Sequence, residues 1–349
     1  MMFQAVLSNR DHPEYGVATI PFPVPHDQYA HCMELLEALE IGDAVKADCK
    51  VEKIDSFYTV LKRTEMLTVN VEELNYLAKR LDSFDTGEAA QFQAMAHKLE
   101  LFELKDLINL TFCCQQATVI TDFSDLAAIG RDHYMNLHGG SASVDELNAL
   151  DGKETARQLI ESGSGTITPY GVVYDNGMKL EQVYDGRFFP CYYYEPNAIT
   201  VAVTSKVEPE DTEHITWLYL PMEQEEIDRA LLRGGITDPS EIRLSLEDSW
   251  LPHEVLDLLD MDHVDISELN ALVQALDEFS DMSIRKYAAA AVMARPHTTE
   301  QAKHLAENLD LFDFAPSAST PEEYGKYMIQ QSGHFDYDEN LDAFYDYEK

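Results

Sequence analysis

Carboxylates are the reactive side chains this sequence supplies in quantity: 64 Asp and Glu stand against 25 Lys and Arg, a formal net charge of −39 in 349 residues. A carboxylate can relay a proton, ligate a hard cation, or present fixed negative charge to a basic partner. The first two uses need particular spacings, and few are present. Asp260-Met261-Asp262 and Asp336-Tyr337-Asp338-Glu339 gather oxygens. Both lack the central glycine and closing glutamate of a calcium loop, so no metal is expected. With so many acids to choose from, no pair stands out for acid–base work. The twelve histidines show no ligand spacing. His133 and His138 lie five apart, and Asp132-His133 reads as a helix-surface pair. Glycine-rich phosphate and dinucleotide loops, G-x-S-x-G, H-E-x-x-H and C-x-x-C are all missing, and Gly163-Ser164-Gly165 reads as a turn. Neither catalysis nor a cofactor is expected.

The third use fits the bulk numbers. Residues 1–198 hold 31 acids and 15 bases, and residues 199–349 hold 33 and 10, so the second half is the more densely negative. Such a surface repels nucleic acid and anionic lipid and is drawn to basic clefts. Adjacent bases such as Lys62-Arg63 and Arg285-Lys286 sit among acids, which excludes a lysine- and arginine-lined nucleic-acid groove. A duplex carries one charge per roughly 1.7 Å, so the net charge would match on the order of 65 Å of duplex, about two turns. An ordinary acidic or salt-adapted protein has the same composition, so charge alone leaves both readings open. Either way, like-charge repulsion ties folding to ionic strength. Thermal melts in rising salt are expected to show Tm increasing from low to moderate ionic strength as the Debye length shrinks. A flat response would mean that the charges are paired or too dispersed to trace a phosphate track.

The elements that must carry these acids come in two sets. Residues 264–279, VDISELNALVQALDEF, repeat residues 69–84, VNVEELNYLAKRLDSF, at an offset of 195 with 8 of 16 positions identical, where chance gives roughly one. Leu74, Leu77, Leu81 and Phe84 (and Leu269, Leu272, Leu276 and Phe279) recur at helical spacing, with Asn70 and Asp265 placed to cap. Upstream, strands are expected at 3–8 and 16–20, then Pro21, Pro23 and Pro25, a helix at 27–39 and a strand at 44–51. The same order returns as 199–205, 214–220, Pro221, 225–233 and 241–246. Downstream, helices at 89–98 with 104–112, and at 284–295 with 299–309, suit a small bundle. Short strands at 117–121 and 309–314 and helices at 124–136 and 321–331 complete each set, Gly130 matching Gly325 at the same offset. Between the sets lie a helical stretch at 144–162 and the tyrosine-rich 166–194. The latter reads as a small β-rich insert with hairpin signals at Asp175-Asn176-Gly177 and Asp185-Gly186.

The fold expected is α+β: an elongated multi-domain chain of two repeated modules, each a small antiparallel sheet with a helix, then a small helical bundle and a short strand–helix segment. The divisions are 1–138, 139–197 for the helical and β-rich insert or linker, and 198–349. Five cysteines, two of them adjacent, point to a reducing cytosol. No apolar run approaches the roughly 18 residues of a membrane span, and the N-terminus lacks a signal-peptide layout.

The second set resembles the ArdA antirestriction family over its whole length. The resemblance is carried by ITVAVTS, WLYLPM leading into an acidic helix, ISELNALVQALDEF, and PEEYGKYMIQQSGHFDYDENLDAFYDYEK with its Gly333, Leu341 and terminal Tyr345-Asp346-Tyr347-Glu348. The first set is a more divergent relative that keeps VEELNYLAKRLDSF and Gly130-Arg131-Asp132-His133-Tyr134 but lacks the acidic tyrosine ending. The resemblance implies a non-enzymatic acidic DNA mimic of mobile genetic elements, such as conjugative transposons. It would occupy the DNA-binding cleft of type I restriction-modification complexes and protect incoming DNA, without metal or cofactor. Relatives of this kind pair as dimers; here the matched register of the repeat leads to the expectation of an intrachain pseudo-dimer, with 117–121 and 309–314 edge to edge, or else a homodimer. The chain is about twice the family's usual length, and it stops where relatives continue with glycine and more acid, as a truncated tail would. The acids expected to form the mimic surface are Asp257, Asp260, Asp262, Asp277, Glu278, Asp336, Asp338, Glu339, Asp342, Asp346 and Glu348. The alternative is a small-ligand-binding module, or an accessory adaptor of a mobile element, using the tyrosine-rich insert as its pocket.

Overall fold

The computed structural model describes residues 2–192, 199–207, 214–257, 259, 261 and 263–347. It is a mixed α+β chain with three small antiparallel sheets, and it divides into two compact units. Among the described residues no helix is long and apolar enough to cross a membrane.

The first unit comprises Met1–Pro196, Glu210–Trp217 and Glu223–Thr237. Strands β1 (Phe3–Asn9) and β2 (Val17–Phe22) form the expected hairpin, followed by helix α1 (Tyr29–Glu37). Next come β3 (Cys49–Ser56) and a two-residue β4 (Thr68–Val69), giving the sheet order β2-β1-β3-β4. Alternation drives the pairing. Phe3, Ala5 and Leu7 turn inward from β1, and Ala18, Ile20 and Phe22 do so from β2, all buried. The third strand begins at Cys49, later than the expected start at 44. Asp48 accepts from the Gly42 and Asp43 amides, and Asp43 from those of Val45 and Lys46. Those bonds hold 42–48 as a loop and take its amides away from a ladder.

Helices α2 (Val71–Asp82), α3 (Thr86–Lys98) and α4 (Leu104–Leu110) pack beside this sheet. Asn70 caps α2, and Asp85 with Glu88 closes a capping box on α3. The stripe Leu74, Leu77 and Leu81 is at most 1 % exposed. Strand β5 (Thr118–Ile120) leads to α5 (Leu126–Leu137). The expected helical stretch after it is two helices, α6 (Val144–Ala149) and α7 (Gly152–Glu161), separated where Asp151 restarts the cap.

Among the described residues, the insert is β-structured only at its start, in β6 (Thr166–Thr168) and β7 (Gly171–Tyr174), so the expectation of a β-rich 166–194 is corrected as far as residue 192. The turn falls at Pro169-Tyr170, where Gly171 at φ +127 approaches the Ile120 carbonyl more closely than a Cβ would allow. Asp175-Asn176-Gly177 does turn, with φ of 54 and 79 at its last two residues, but an irregular segment follows rather than a strand. Packing explains this. Asn109 holds the Tyr184 backbone at both its amide and its carbonyl, and the Tyr76 hydroxyl donates to the Pro190 carbonyl. These contacts take the backbone groups a second hairpin would use.

The second unit comprises Asn197–Pro209, Leu218–Met222 and Asp238–Lys349. Strands β8 (Ile199–Ser205), β9 (Thr216–Leu220) and, after helix α8 (Gln224–Arg233), β10 (Ile242–Ser249) form a sheet ordered β10-β8-β9. Helix α8 itself clusters with the first unit. A short α9 (His253–Leu256) precedes α10 (Ile266–Asp277), α11 (Asp281–Ala294), α12 (Thr299–Glu307) and α13 (Pro321–Gln330). Asp265 caps α10, and Ile266, Leu269, Leu272, Val273 and Leu276 are buried on it.

The strand expected at 309–314 is absent. Leu309–Leu311 is a 3-10 turn that leaves Leu311 77 % exposed. The alternating LDLFDF pattern resembled a half-buried strand, but the bonds from Leu311 to Asn308 and from Phe312 to Leu309 close the backbone locally. Meanwhile β5 pairs with β7 of the insert. The edge-to-edge pairing of 117–121 with 309–314 therefore lacks one of its strands, and the other already has a neighbour.

Two glycines at the 195 offset do equivalent work. A Cβ on Gly130 of α5 would strike the carbonyl of Gly152, and one on Gly325 of α13 would strike that of Tyr347. Gly152 and Tyr347 are themselves 195 apart. Gly130→Ala is expected to pry α5 off α7, at about 1–3 kcal/mol by analogy with overpacked cores. Gly325→Ala is expected to displace the terminal segment without unfolding α13. Urea melts of the first variant, and proteolysis of the tail in the second, check this pair.

Candidate acidic interaction surface

Eight of the eleven sequence-selected acids can be placed: Asp257, Asp277, Glu278, Asp336, Asp338, Glu339, Asp342 and Asp346. All are solvent-exposed and all belong to the second unit. Asp260, Asp262 and Glu348 lie outside the described residues.

Their settings differ. Asp277 is the last residue of α10 and Glu278 its C-cap, and the final turn of that helix carries no base. The carbonyl end of a helix is already negative, so acids there are disfavoured by about 0.3–1 kcal/mol each. The corresponding end of α2 keeps an acid, Asp82, where α10 has Asp277, but it has Lys79 and Arg80 in its last turn and Ser83 where α10 has Glu278. What sets α10 apart is the added Glu278 and the loss of both bases, neither of which favours the helix's own stability. Asp277→Asn with Glu278→Gln is expected to raise second-unit stability by about 0.5–2 kcal/mol. Thermal melts at low salt check the sign.

The tail builds a different arrangement. Asp338 caps a 3-10 turn, Glu339–Phe344, by accepting from the Asn340 amide at 2.9 Å. Asp342 in that turn accepts from the Tyr337 hydroxyl at 2.8 Å, the Gln330 amide at 2.9 Å and the Tyr347 hydroxyl. These donors hold the Asp342 carboxyl below the usual carboxylate range, Tyr347 contributing most. The reciprocal bond pushes Tyr337 up to about 12. Lys326 pairs with Glu322 at 2.6 Å and lies 5.7 Å from the centre of the Tyr347 ring.

Both units hold ion pairs, Lys303 with Glu307 at 3.8 Å and Lys326 with Glu322 being examples in the second. In the first, Lys79 meets Glu226 at 3.4 Å, Lys98 meets Asp175 at 2.6 Å and Arg229 meets Glu72 at 2.5 Å, each pair partly buried. Among the described residues, no base lies within 4.0 Å of Asp257, Asp277, Glu278, Asp336, Asp338, Glu339 or Asp342. Asp338 and Asp342 are spent on the tail turn; the other five, exposed and without a base within that distance, can meet one on a partner.

The other candidates are absorbed by local structure. His133 Nδ1 lies 2.9 Å from Thr118 Oγ1 rather than on Asp132, and burial lowers its pKa. His138 stacks on Tyr134 with centroids 4.1 Å apart. The insert's aromatic rings fill space: Phe189 stacks on Tyr76 at 4.4 Å and on Tyr184 at 5.1 Å. Tyr184 is fully buried.

A polar cluster that the sequence reading passed over lies in the first unit. Arg233 of α8 is 4 % exposed. Its guanidinium donates to the carbonyls of Ala44 at 2.9 Å, Arg187 at 2.9 Å and Gly186 at 3.3 Å, to Asn70 Oδ1 at 3.0 Å, and to the Tyr184 hydroxyl. Its face lies 4.3 Å from the centre of Phe189. The Tyr184 hydroxyl in turn donates to Glu73 Oε1 at 2.8 Å, and burial raises the Glu73 pKa. Arg229, one turn earlier, donates to Glu72 and to the Gly42 carbonyl, both at 2.7 Å. The spacing of Arg229 and Arg233 by four was the available signal, since it puts two cations on one face of α8.

Compared with known families, curated proteins and solved structures, the chain finds no match.

Proposed function

We propose that this chain is an antirestriction protein of the ArdA type. In this reading it is an acidic DNA mimic, not an enzyme, that occupies the DNA-binding cleft of a type I restriction-modification complex and shields incoming mobile DNA. The observation that carries the reading is the set of exposed second-unit carboxylates without a nearby cation, two of them set where a helix end disfavours them. A charge kept at a cost to its own helix has a use outside the fold.

The two-module organisation belongs to the same proposal. Several equivalences support it. The strand orders β2-β1-β3 and β9-β8-β10 correspond. Asn75 Oδ1 accepts from the Val24 amide, and its repeat counterpart Asn270 accepts from the Met222 amide, both at 2.9 Å. Val24 and Met222 each follow the proline that ends a hairpin. A buried asparagine within an apolar stripe, latching the same backbone position in both halves, fits duplication of one module. In this reading, doubling within one chain supplies the charged length that a single-module relative gains by pairing.

The test is capture of a purified type I modification complex by the full chain while duplex DNA is titrated in. Competitive displacement is expected. A complex that holds duplex and this chain together would overturn the reading.

A further inference from the structure

Phe344 is 83 % exposed in an acid-rich tail, more so than Phe335 at 58 % and Leu341 at 48 %, the other exposed large apolar side chains there. It ends the turn Glu339–Phe344, with Asp342 two residues before it and Asp346 two after. The turn is not loosely held. Three donors from Tyr337, Gln330 and Tyr347 converge on Asp342. The rings of Tyr337, Tyr345 and Tyr347 follow one another at centroid spacings of 6.0 and 5.9 Å. Those three tyrosines are half-buried by their packing, whereas the phenylalanine beside them is left outside. A large apolar ring held on a fixed turn among carboxylates matches a partner that is basic over most of its surface and apolar at one point. A duplex presents that pattern to an enzyme that extrudes a base. The backbone meets cations, and the extruded base enters a pocket lined by aromatic and apolar side chains.

We propose that Phe344 is a base mimic that inserts into the base pocket of a base-flipping DNA methyltransferase while the neighbouring acids engage its phosphate-binding cations. This rests on the DNA-mimic reading and adds to it the class of enzyme and the point of contact. Stacking on an aromatic tolerates any flat ring, so Trp should replace Phe344 and Ala should not. No charge is lost, so the salt dependence of binding should be unchanged.

The test uses the full chain against two purified partners in competition with duplex DNA: a type I methyltransferase, and a DNA-binding protein that reads the duplex without extruding a base. Phe344→Ala is expected to weaken methyltransferase binding by about tenfold or more. Phe344→Trp should restore it. Ile167→Ala, which removes an equally exposed apolar side chain that has no acid near it in sequence, should leave it unchanged. The non-flipping partner should not distinguish Phe344→Ala from the parent. Circular dichroism establishes that the variants are folded, which the exposure of both positions favours. Parent-like binding of Phe344→Ala to the methyltransferase, or an equal loss toward both partners, would overturn the base mimic while leaving the acidic mimic standing. Failure of the parent to compete with duplex at all would overturn both.

Discussion

Arg233→Met is expected to cost the first unit about 3–5 kcal/mol, enough to unfold much of a domain of ordinary stability. Methionine matches the aliphatic stem and can still cover Phe189, so the loss comes from the guanidinium. Its removal leaves the Ala44, Gly186 and Arg187 carbonyls and the Tyr184 oxygen without this donor, while Asn70 Oδ1 keeps the Glu73 amide. It also leaves the Glu73 carboxylate buried without its nearest cation. Arg233→Lys should recover only part, since one ammonium cannot reach donors spread around a planar fork. Glu73→Gln should be mild, because its amide oxygen still accepts from Tyr184. The pH dependence carries a definite sign. Burial raises the Glu73 pKa in the folded chain, so its contribution is fully present below the ordinary carboxylate range and is lost as pH rises through the raised value. Glu73→Gln should therefore gain on the parent as pH increases from acid toward neutral. Combined with Arg233→Met it should recover part of the loss, since no uncompensated charge remains. Urea unfolding of the parent and the four variants at two pH values tests the set. Additive losses, or a Glu73→Gln advantage that shrinks as pH rises, would count against this description of the cluster.

That cluster marks where the sequence stopped being legible. Periodicity found α2 and α10 because Leu74, Leu77 and Leu81, and their counterparts, must share one face to be buried. Capping residues fixed their starts. Strand pairing within each hairpin followed from alternation and from the prolines after it. What periodicity cannot encode is which distant backbone a side chain will satisfy. Arg233 looks like any acidic-protein arginine until Ala44, Asn70 and Tyr184, far away in sequence, converge on it. The tyrosine-rich insert misled for the same reason. Its β-branched and aromatic residues have high strand propensity, but Asn109 and Tyr76 bind its backbone first, so tertiary contacts override the local preference. The 309–314 segment misled through its length, since six alternating residues suit a strand edge or an exposed turn equally well. The acids were readable as a population, and their pairing was not. Which carboxylates have a cation nearby depends on the placement of the 25 bases.

The same distinction, population against placement, decides the functional reading. Neutralising Asp277, Glu278, Asp336, Asp338, Glu339 and Asp346 together, as Asn or Gln, is expected to weaken binding to a type I modification complex more than about 100-fold at low salt. Any one of these changes alone should cost less than about threefold, in keeping with exposed, screened charges. Asp338→Asn keeps an oxygen to cap the tail turn, and Asp342 is left intact because it anchors that turn. The fold should therefore survive the block, and the α10 end should gain stability as binding falls. Opposite signs for stability and binding are what a functional charge requires and a structural one forbids. A matched block supplies the control: Asp27, Glu37, Asp55, Glu103, Asp145 and Glu161 are exposed first-unit acids whose neutralisation removes the same charge from the chain. If affinity tracked net charge alone, both blocks would weaken binding equally and flatten its salt dependence equally. A mimic that works by position predicts a much larger loss from the second-unit block. It also predicts that raising salt erodes the parent's affinity faster than that variant's, because each carboxylate seated on a phosphate-binding cation contributes its own increment to the salt slope.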